Sequence, residues 1–189
     1  MEAGVVEAMT RGFEERPLAQ SAIDFARSRH EGQRRDADDA PFVVHPLEVA
    51  ILLRDAGYPD HVVATGALHE VLEDTDVDKE ELEERFGPDV AELVDDLTDD
   101  PSIRDRQKRR AALRRQVAEA GETAAAVFAA DKVSKARELR MKAERGPLDD
   151  DSRAKLEHYL ESLDMLEQAL PGSDLVDCLR AELQALGAL

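Results

Sequence analysis

A single cysteine, Cys178, among 189 residues excludes an intramolecular disulfide and any zinc–thiolate site. No apolar stretch is long enough to span a bilayer. The N-terminus has no basic segment followed by an apolar run, so no secretory signal is expected and a cytoplasmic protein is. There is no Walker loop and no glycine-rich turn of the G-x-G-x-x-G kind, so a nucleotide would have to be held by cationic side chains and a metal. Net positive charge is lacking: 25 Lys and Arg stand against 43 Asp and Glu, and the net charge of −18 argues against the broad cationic footprint of a nucleic-acid binder. Aromatic residues make up only 4%, so Leu, Val and Ala must build most of the core. Alternating strand patterns, internal repeats and low-complexity linkers are all missing.

What is present favours helix. Ala, Leu, Arg and Glu dominate the composition. Apolar periodicity, Pro and Gly place helices over 2–12, 18–30, 45–56, 59–72, 77–86, 89–97, 104–120, 123–145, 151–170 and 175–186. Asp78, with Glu81 three residues on, reads as an N-cap. The stretch from Glu31 to Val44 is polar, aperiodic and rich in Arg and Asp, and reads as a loop or irregular arm. The expectation is one all-α domain over 1–189, with its core at about 18–170 and a C-terminal helix at about 175–187. Cys178 lies on the face of that last helix.

The chain is organised around Ala67-Leu68-His69-Glu70-Val71-Leu72-Glu73-Asp74-Thr75. A buried-looking run ends by delivering one histidine and three carboxylates within six residues. On a continuous helix His69 and Glu73 would share a face, with Glu70, Glu73 and Asp74 forming an adjacent one. Packing gives no reason for such charge; a divalent cation, or a water held for attack on phosphate, gives one. His45, His69, Glu70 and Asp131 could converge on a metal, since each stands where an apolar helical run begins or ends. The plainer reading makes them capping or surface groups. A mixed His and carboxylate set suits Mn, Fe, Zn or Mg. A calcium loop over Asp74–Asp78 fails, because Lys79 and Arg85 occupy the glycine and bidentate positions.

Two groups of cations stand out in so acidic a chain: Arg34 and Arg35 in the arm, and Lys108, Arg109 and Arg110 on the 104–120 helix. They can take phosphate oxygens. Equally, the basic helix can pair with Asp95, Asp96, Asp99 and Asp100. Tyr159 can stack on a base or fill a core or rim position.

These motifs, in this order, resemble the HD-superfamily hydrolase domain of RelA/SpoT-type alarmone enzymes, in particular the small stand-alone forms of the metazoan SpoT homologue kind. The resemblance covers roughly residues 18–170 and is carried by 29–35 (RHEGQRR), 41–46 (PFVVHP), 67–75 (ALHEVLEDT), 86–90 (FGPDV), 97–100 (LTDD), 108–110 (KRR) and 130–132 (ADK). It implies an all-α fold, a divalent metal of the Mn²⁺ kind, and hydrolysis of the 3′-pyrophosphate of guanosine tetra- or pentaphosphate. Carried over by position, the metal ligands are His45, His69, Glu70 and Asp131. Glu73 and Asp74 match the pair that positions or activates the attacking water, and Arg35 a phosphate-contacting arginine. Lys155 and Tyr159 match positions near the nucleotide, and so does Lys135.

This sequence departs from the family pattern at three places: Glu70 stands for the Asp of the His-Asp doublet, Asp36 for a lysine, and Lys135 for an asparagine. The arm before His45 is also one residue short. Intact His45, His69, Glu73, Asp74 and Asp131 favour a metal-dependent phosphohydrolase of a small phosphorylated nucleotide. The departures favour the alternative, an HD domain that binds a nucleotide or protein partner without turnover. The oligomeric state is left open by the sequence, an oligomer included.

Overall fold

The computed structural model describes residues 2–189. Among them the protein is all-α, as the periodicity requires. Eleven helical segments run in order: α1 Glu2–Met9, α2 Pro17–Arg29, α3 Val44–Asp55, α4 Asp60–Leu68, α5 Val71–Asp74, α6 Lys79–Phe86, α7 Pro88–Leu97, α8 Arg106–Ala120, α9 Glu122–Arg145, α10 Asp150–Ala169 and α11 Asp174–Ala185. They fall into two compact units, Met1–Thr98 and Asp99–Leu189.

In the first unit α4 is the centre. Every residue from Val62 to Leu68 is buried, and α2, α3 and α7 pack around it. Gly66 lets α3 come close: a Cβ there would lie 2.6 Å from Leu53 Cδ1 and 3.4 Å from Ala50 Cα. Asp60, at the start of α4, accepts from the N–H groups of Leu18 (3.0 Å) and Ala19 (3.1 Å). It thereby satisfies orphan donors of α2 and places its negative charge at the positive end of that helix.

The helix expected over 59–72 is not continuous. It ends at Leu68, turns at His69 and Glu70, and resumes as the single turn α5. The cause is a side chain competing with the backbone. His69 Nδ1 donates to the Gly66 carbonyl (2.8 Å), which is the acceptor the Glu70 N–H would use in an unbroken helix. The geometry in which His69 and Glu73 share a helical face is therefore replaced by a bend. The arm before His45 is more ordered than its composition suggests. An isolated antiparallel bridge joins Arg34 and Pro41, and Asp39 turns the chain with φ 61°.

In the second unit α9 is central. Residues Ala124 to Ser134 are all buried, and their small side chains let α8, α10 and α11 close around the helix. Arg137 and Arg140 both reach Glu182 on α11, at 3.0 and 2.9 Å. Helix starts here lie one or two residues from their expected positions. The reason is capping: Asp105 accepts from the Lys108 N–H (3.0 Å) and Asp149 from the Ser152 N–H (2.8 Å). Asp78 caps α6 through the Glu81 N–H as expected (2.9 Å).

Candidate metal centre and phosphate-binding residues

Three of the four expected ligands meet in the first unit. His45 stands in the first turn of α3, and His69 and Glu70 form the bend after α4. All three are buried, at 2%, 5% and 6% exposure. His45 Nε2 and His69 Nε2 are 3.2 Å apart, and Glu70 Oε1 lies 3.4 Å from each. Because His69 Nδ1 must carry a proton to bond the Gly66 carbonyl, the Nε2 of the neutral ring is a bare lone pair. Donor atoms held about 2.1 Å from one cation, in tetrahedral or octahedral arrangement, stand roughly 3.0–3.4 Å from one another. The spacing of these three atoms fits such a shell, and the two-imidazole, one-carboxylate donor set suits a divalent metal. Glu70, one methylene longer than the aspartate of the family doublet, brings its oxygen to this point.

Glu73 and Asp74 follow one turn later and are exposed. Their segment is pinned. The Asp74 N–H reaches the Glu70 carbonyl (3.0 Å), the Asp74 carbonyl accepts from Gln33 Nε2 (2.9 Å), and Thr75 Oγ1 donates to the Val71 carbonyl (2.6 Å). Gln33 also orients His30, since its Oε1 lies 2.8 Å from His30 Nδ1. Burial pushes the His30 imidazole below its ordinary value, against the raising effect of its bond to Gln33 and of Asp74 and Glu70.

The arm's cations are engaged locally. Arg34 donates to the Asp39 carbonyl (2.9 Å). Arg35 is buried and forms a fork with Asp38, its Nε 3.0 Å from Oδ1 and its Nη2 on Oδ2.

The second unit holds the other expected residues. Asp131 is buried on α9 at 4% exposure, beside Lys132 and one turn before Lys135. Lys132 Nζ lies 2.5 Å from Asp131 Oδ2, and Lys135 Nζ 3.1 Å from Oδ1. Tyr159 is buried on α10 and its phenol is pushed up, first by burial. That agrees with a core position more than with an open stacking platform. Lys155 pairs with Asp151 (3.0 Å). Of the basic helix, Arg109 pairs with Asp99 (2.8 Å), which was one of its two expected fates. Arg106 instead reaches Asp151 on α10, and Arg110 donates to the Ala154 carbonyl (2.9 Å). Lys108 lines a cleft of about 300 Å³ with Arg110, Arg114 and His158.

Two residues here were given no chemical role in the sequence reading. Lys132 entered only as part of the 130–132 motif. His158 accepts from Arg114 Nη1 (2.6 Å) and is held far below its ordinary value, at about 2, by burial and then by Lys132, Arg110 and Arg114. The four-residue spacing of Arg110 and Arg114 on one face of α8 was the available signal; their meeting with His158 is a tertiary contact.

The chain belongs to the HD domain family, whose model matches residues 22–148. It is 34% identical over 156 residues to the Homo sapiens guanosine-3′,5′-bis(diphosphate) 3′-pyrophosphohydrolase MESH1, covering 81% of this chain and 84% of that one. A guanosine-3′,5′-bis(diphosphate) 3′-pyrophosphohydrolase of Aquifex aeolicus is 42% identical over 79 residues, or 42% of this chain; the match spans only 11% of that longer protein. Among solved structures, a metazoan ortholog of SpoT that hydrolyses ppGpp and plays a role in starvation responses superposes with a TM-score of 0.76. It is 27% identical, and the match covers 91% of this chain and 97% of that one.

Proposed function

We propose that this protein is a metal-dependent phosphohydrolase that removes pyrophosphate from guanosine 3′,5′-bis(diphosphate). The observation that carries the reading is the convergence of His45 Nε2, His69 Nε2 and Glu70 Oε1 at 3.2–3.4 Å. The similarity to MESH1 along most of both chains supports the substrate. The family match runs through residues of both units, which supports reading 1–189 as one functional domain.

His45, His69 and Glu70 would hold a divalent ion, with Asp131 as a further ligand, as the family resemblance implies; the mixed donor set suits Mn, Fe, Zn or Mg, and the resemblance points to Mn²⁺. Such an ion supplies positive charge that lowers the pKa of water and steadies developing charge on phosphate. The chain's own groups do the rest. Glu73 or Asp74 takes the proton of the attacking water. Water adds at the phosphorus attached to the ribose 3′ oxygen, the bond to that oxygen breaks, the oxygen takes up a proton to become the 3′-hydroxyl, pyrophosphate leaves and guanosine 5′-diphosphate remains. Arg34, Arg35, Lys108, Arg109, Lys135 and Lys155 are the cations assigned to phosphate oxygens, five of them by exchange of the carbonyl or carboxylate partners they hold, and Tyr159 borders the nucleotide. A net charge of −18 supports a small ligand over a nucleic acid. No described helix is long and apolar enough to cross a membrane.

A second reading, binding without turnover, is favoured by specific contacts. Arg35 is already forked to Asp38, and both oxygens of Asp131 face lysines. The test is pyrophosphate release from guanosine 3′,5′-bis(diphosphate), with and without added Mn²⁺, for the natural protein and for Glu70→Asp. Mn-dependent release by the natural protein supports hydrolysis. Release by Glu70→Asp alone identifies the natural chain as a binding domain.

A further inference from the structure

Asp131 is set apart from the other buried acid of the proposed site by what surrounds it. Its two oxygens face two different ammonium groups, Oδ2 against Lys132 at 2.5 Å and Oδ1 against Lys135 at 3.1 Å. The two lysines are not equivalent. The Lys132 side chain is 5% exposed and its Nζ lies 4.2 Å from the centre of the Phe128 ring. It is held from both sides and cannot leave without stranding a charge in the interior. The Lys135 side chain is 33% exposed. It sits one turn from Asp131 on the same helical face, and its flexible stem can carry the ammonium into water at little cost.

A carboxylate serves a metal by offering negative charge and a free oxygen. At Asp131 the charge is answered twice, and Oδ1, itself buried, faces the more exposed of the two lysines. We propose that Lys135 is an internal competitor for the Asp131 carboxylate. It covers Oδ1 in the metal-free protein, yields that oxygen to an incoming divalent cation, and so sets the metal concentration at which the site fills. This rests on the reading above, in which Asp131 is a metal ligand. Competition has two consequences of opposite sign. Removing the Lys135 charge takes a partner from a buried acid and weakens the metal-free fold. It also removes a repelling cation from the ion's surroundings and tightens metal binding. A lysine with a merely structural role would, when lost, weaken both.

The experiment titrates the metal-free full-length protein with Mn²⁺, following the unbound ion by its electron paramagnetic resonance signal. The natural protein is compared with Lys135→Met and Lys135→Arg. Lys135→Met is expected to tighten Mn²⁺ binding roughly tenfold, the effect of one unit charge several ångströms from a divalent ion in partly hydrated surroundings. Lys135→Arg keeps the charge and should stay within about twofold of the natural protein by the same electrostatics. The thermal midpoint of Lys135→Met in chelator should fall. Binding by Lys135→Met alone also supports the proposal, as competition at its limit. Mn²⁺ bound equally by the natural protein and Lys135→Met overturns it. If none of the three folded proteins binds Mn²⁺, the metal reading itself fails and the inference falls with it. Should Lys135→Met not fold, Lys135→Gln, neutral and polar, carries the same comparison.

Discussion

His45 Nε2 faces His69 Nε2 at 3.2 Å, two ring nitrogens turned toward each other in a buried space. Since His69 spends its one neutral-form proton on the Gly66 carbonyl, this pair is arranged for a shared proton or a shared cation. His69→Gln should therefore weaken Mn²⁺ binding by more than about a hundredfold, because even outer partners of a ligand are worth ten- to a hundredfold. Metal content after equilibration with Mn²⁺ and gel filtration checks it. An undiminished content would remove His69 from the ligand set.

Gly66 serves two ends, since it admits α3 and supplies the carbonyl that orients His69. A Cβ at this position would meet Leu53 Cδ1 at 2.6 Å and Val49 Cγ1 at 3.3 Å, both on fully buried side chains. Gly66→Ala is expected to cost about 1–3 kcal/mol, the usual range for overpacking a core. The urea midpoint measures it. Adding Leu53→Ala to Gly66→Ala should cost less than the two changes summed, because the second makes room for the first.

Acid should loosen the protein through His158. Burial and the charges of Lys132, Arg110 and Arg114 keep its folded-state pKa at about 2, against an ordinary value of 6.5. Above pH 6.5 the ring is neutral in folded and unfolded chains alike, and contributes no pH dependence. Below pH 6.5 the unfolded chain binds a proton that the folded one refuses, so stability falls by about 1.4 kcal/mol per pH unit from this group. His158→Gln keeps an acceptor for Arg114 and removes the titration. Its urea midpoint should drop less between pH 7 and pH 5 than that of the natural protein. An equal drop would show that His158 is not the group responsible.

Much of the architecture was open to reading in the primary structure. Helical periodicity, Pro at helix starts and Gly after helix ends locate the major helices without any tertiary information. The errors have physical causes. Asp105 and Asp149 cap α8 and α10, and overlooking them misplaces the starts by one or two residues. The break at His69 depends on an imidazole orientation that local propensity does not encode. The cations were visible as residue types, but their partners were not. Arg35 was legible as a phosphate-contacting type, but its fork with Asp38 was not, because the turn of the arm brings the two together.

By itself the sequence determined an all-α protein, from residue spacing and composition, which are local properties. Its motifs carried the resemblance to the HD family, and with it the candidate ligand types: two imidazoles, a glutamate and an aspartate. Only the tertiary structure decided that Glu70 Oε1 reaches the pair of imidazoles. It also decided that Asp131 is covered by two lysines and that His158 stays neutral. Each of these depends on burial and on which charges the fold brings within a few ångströms, where the energy of an ionised group is set by its neighbours.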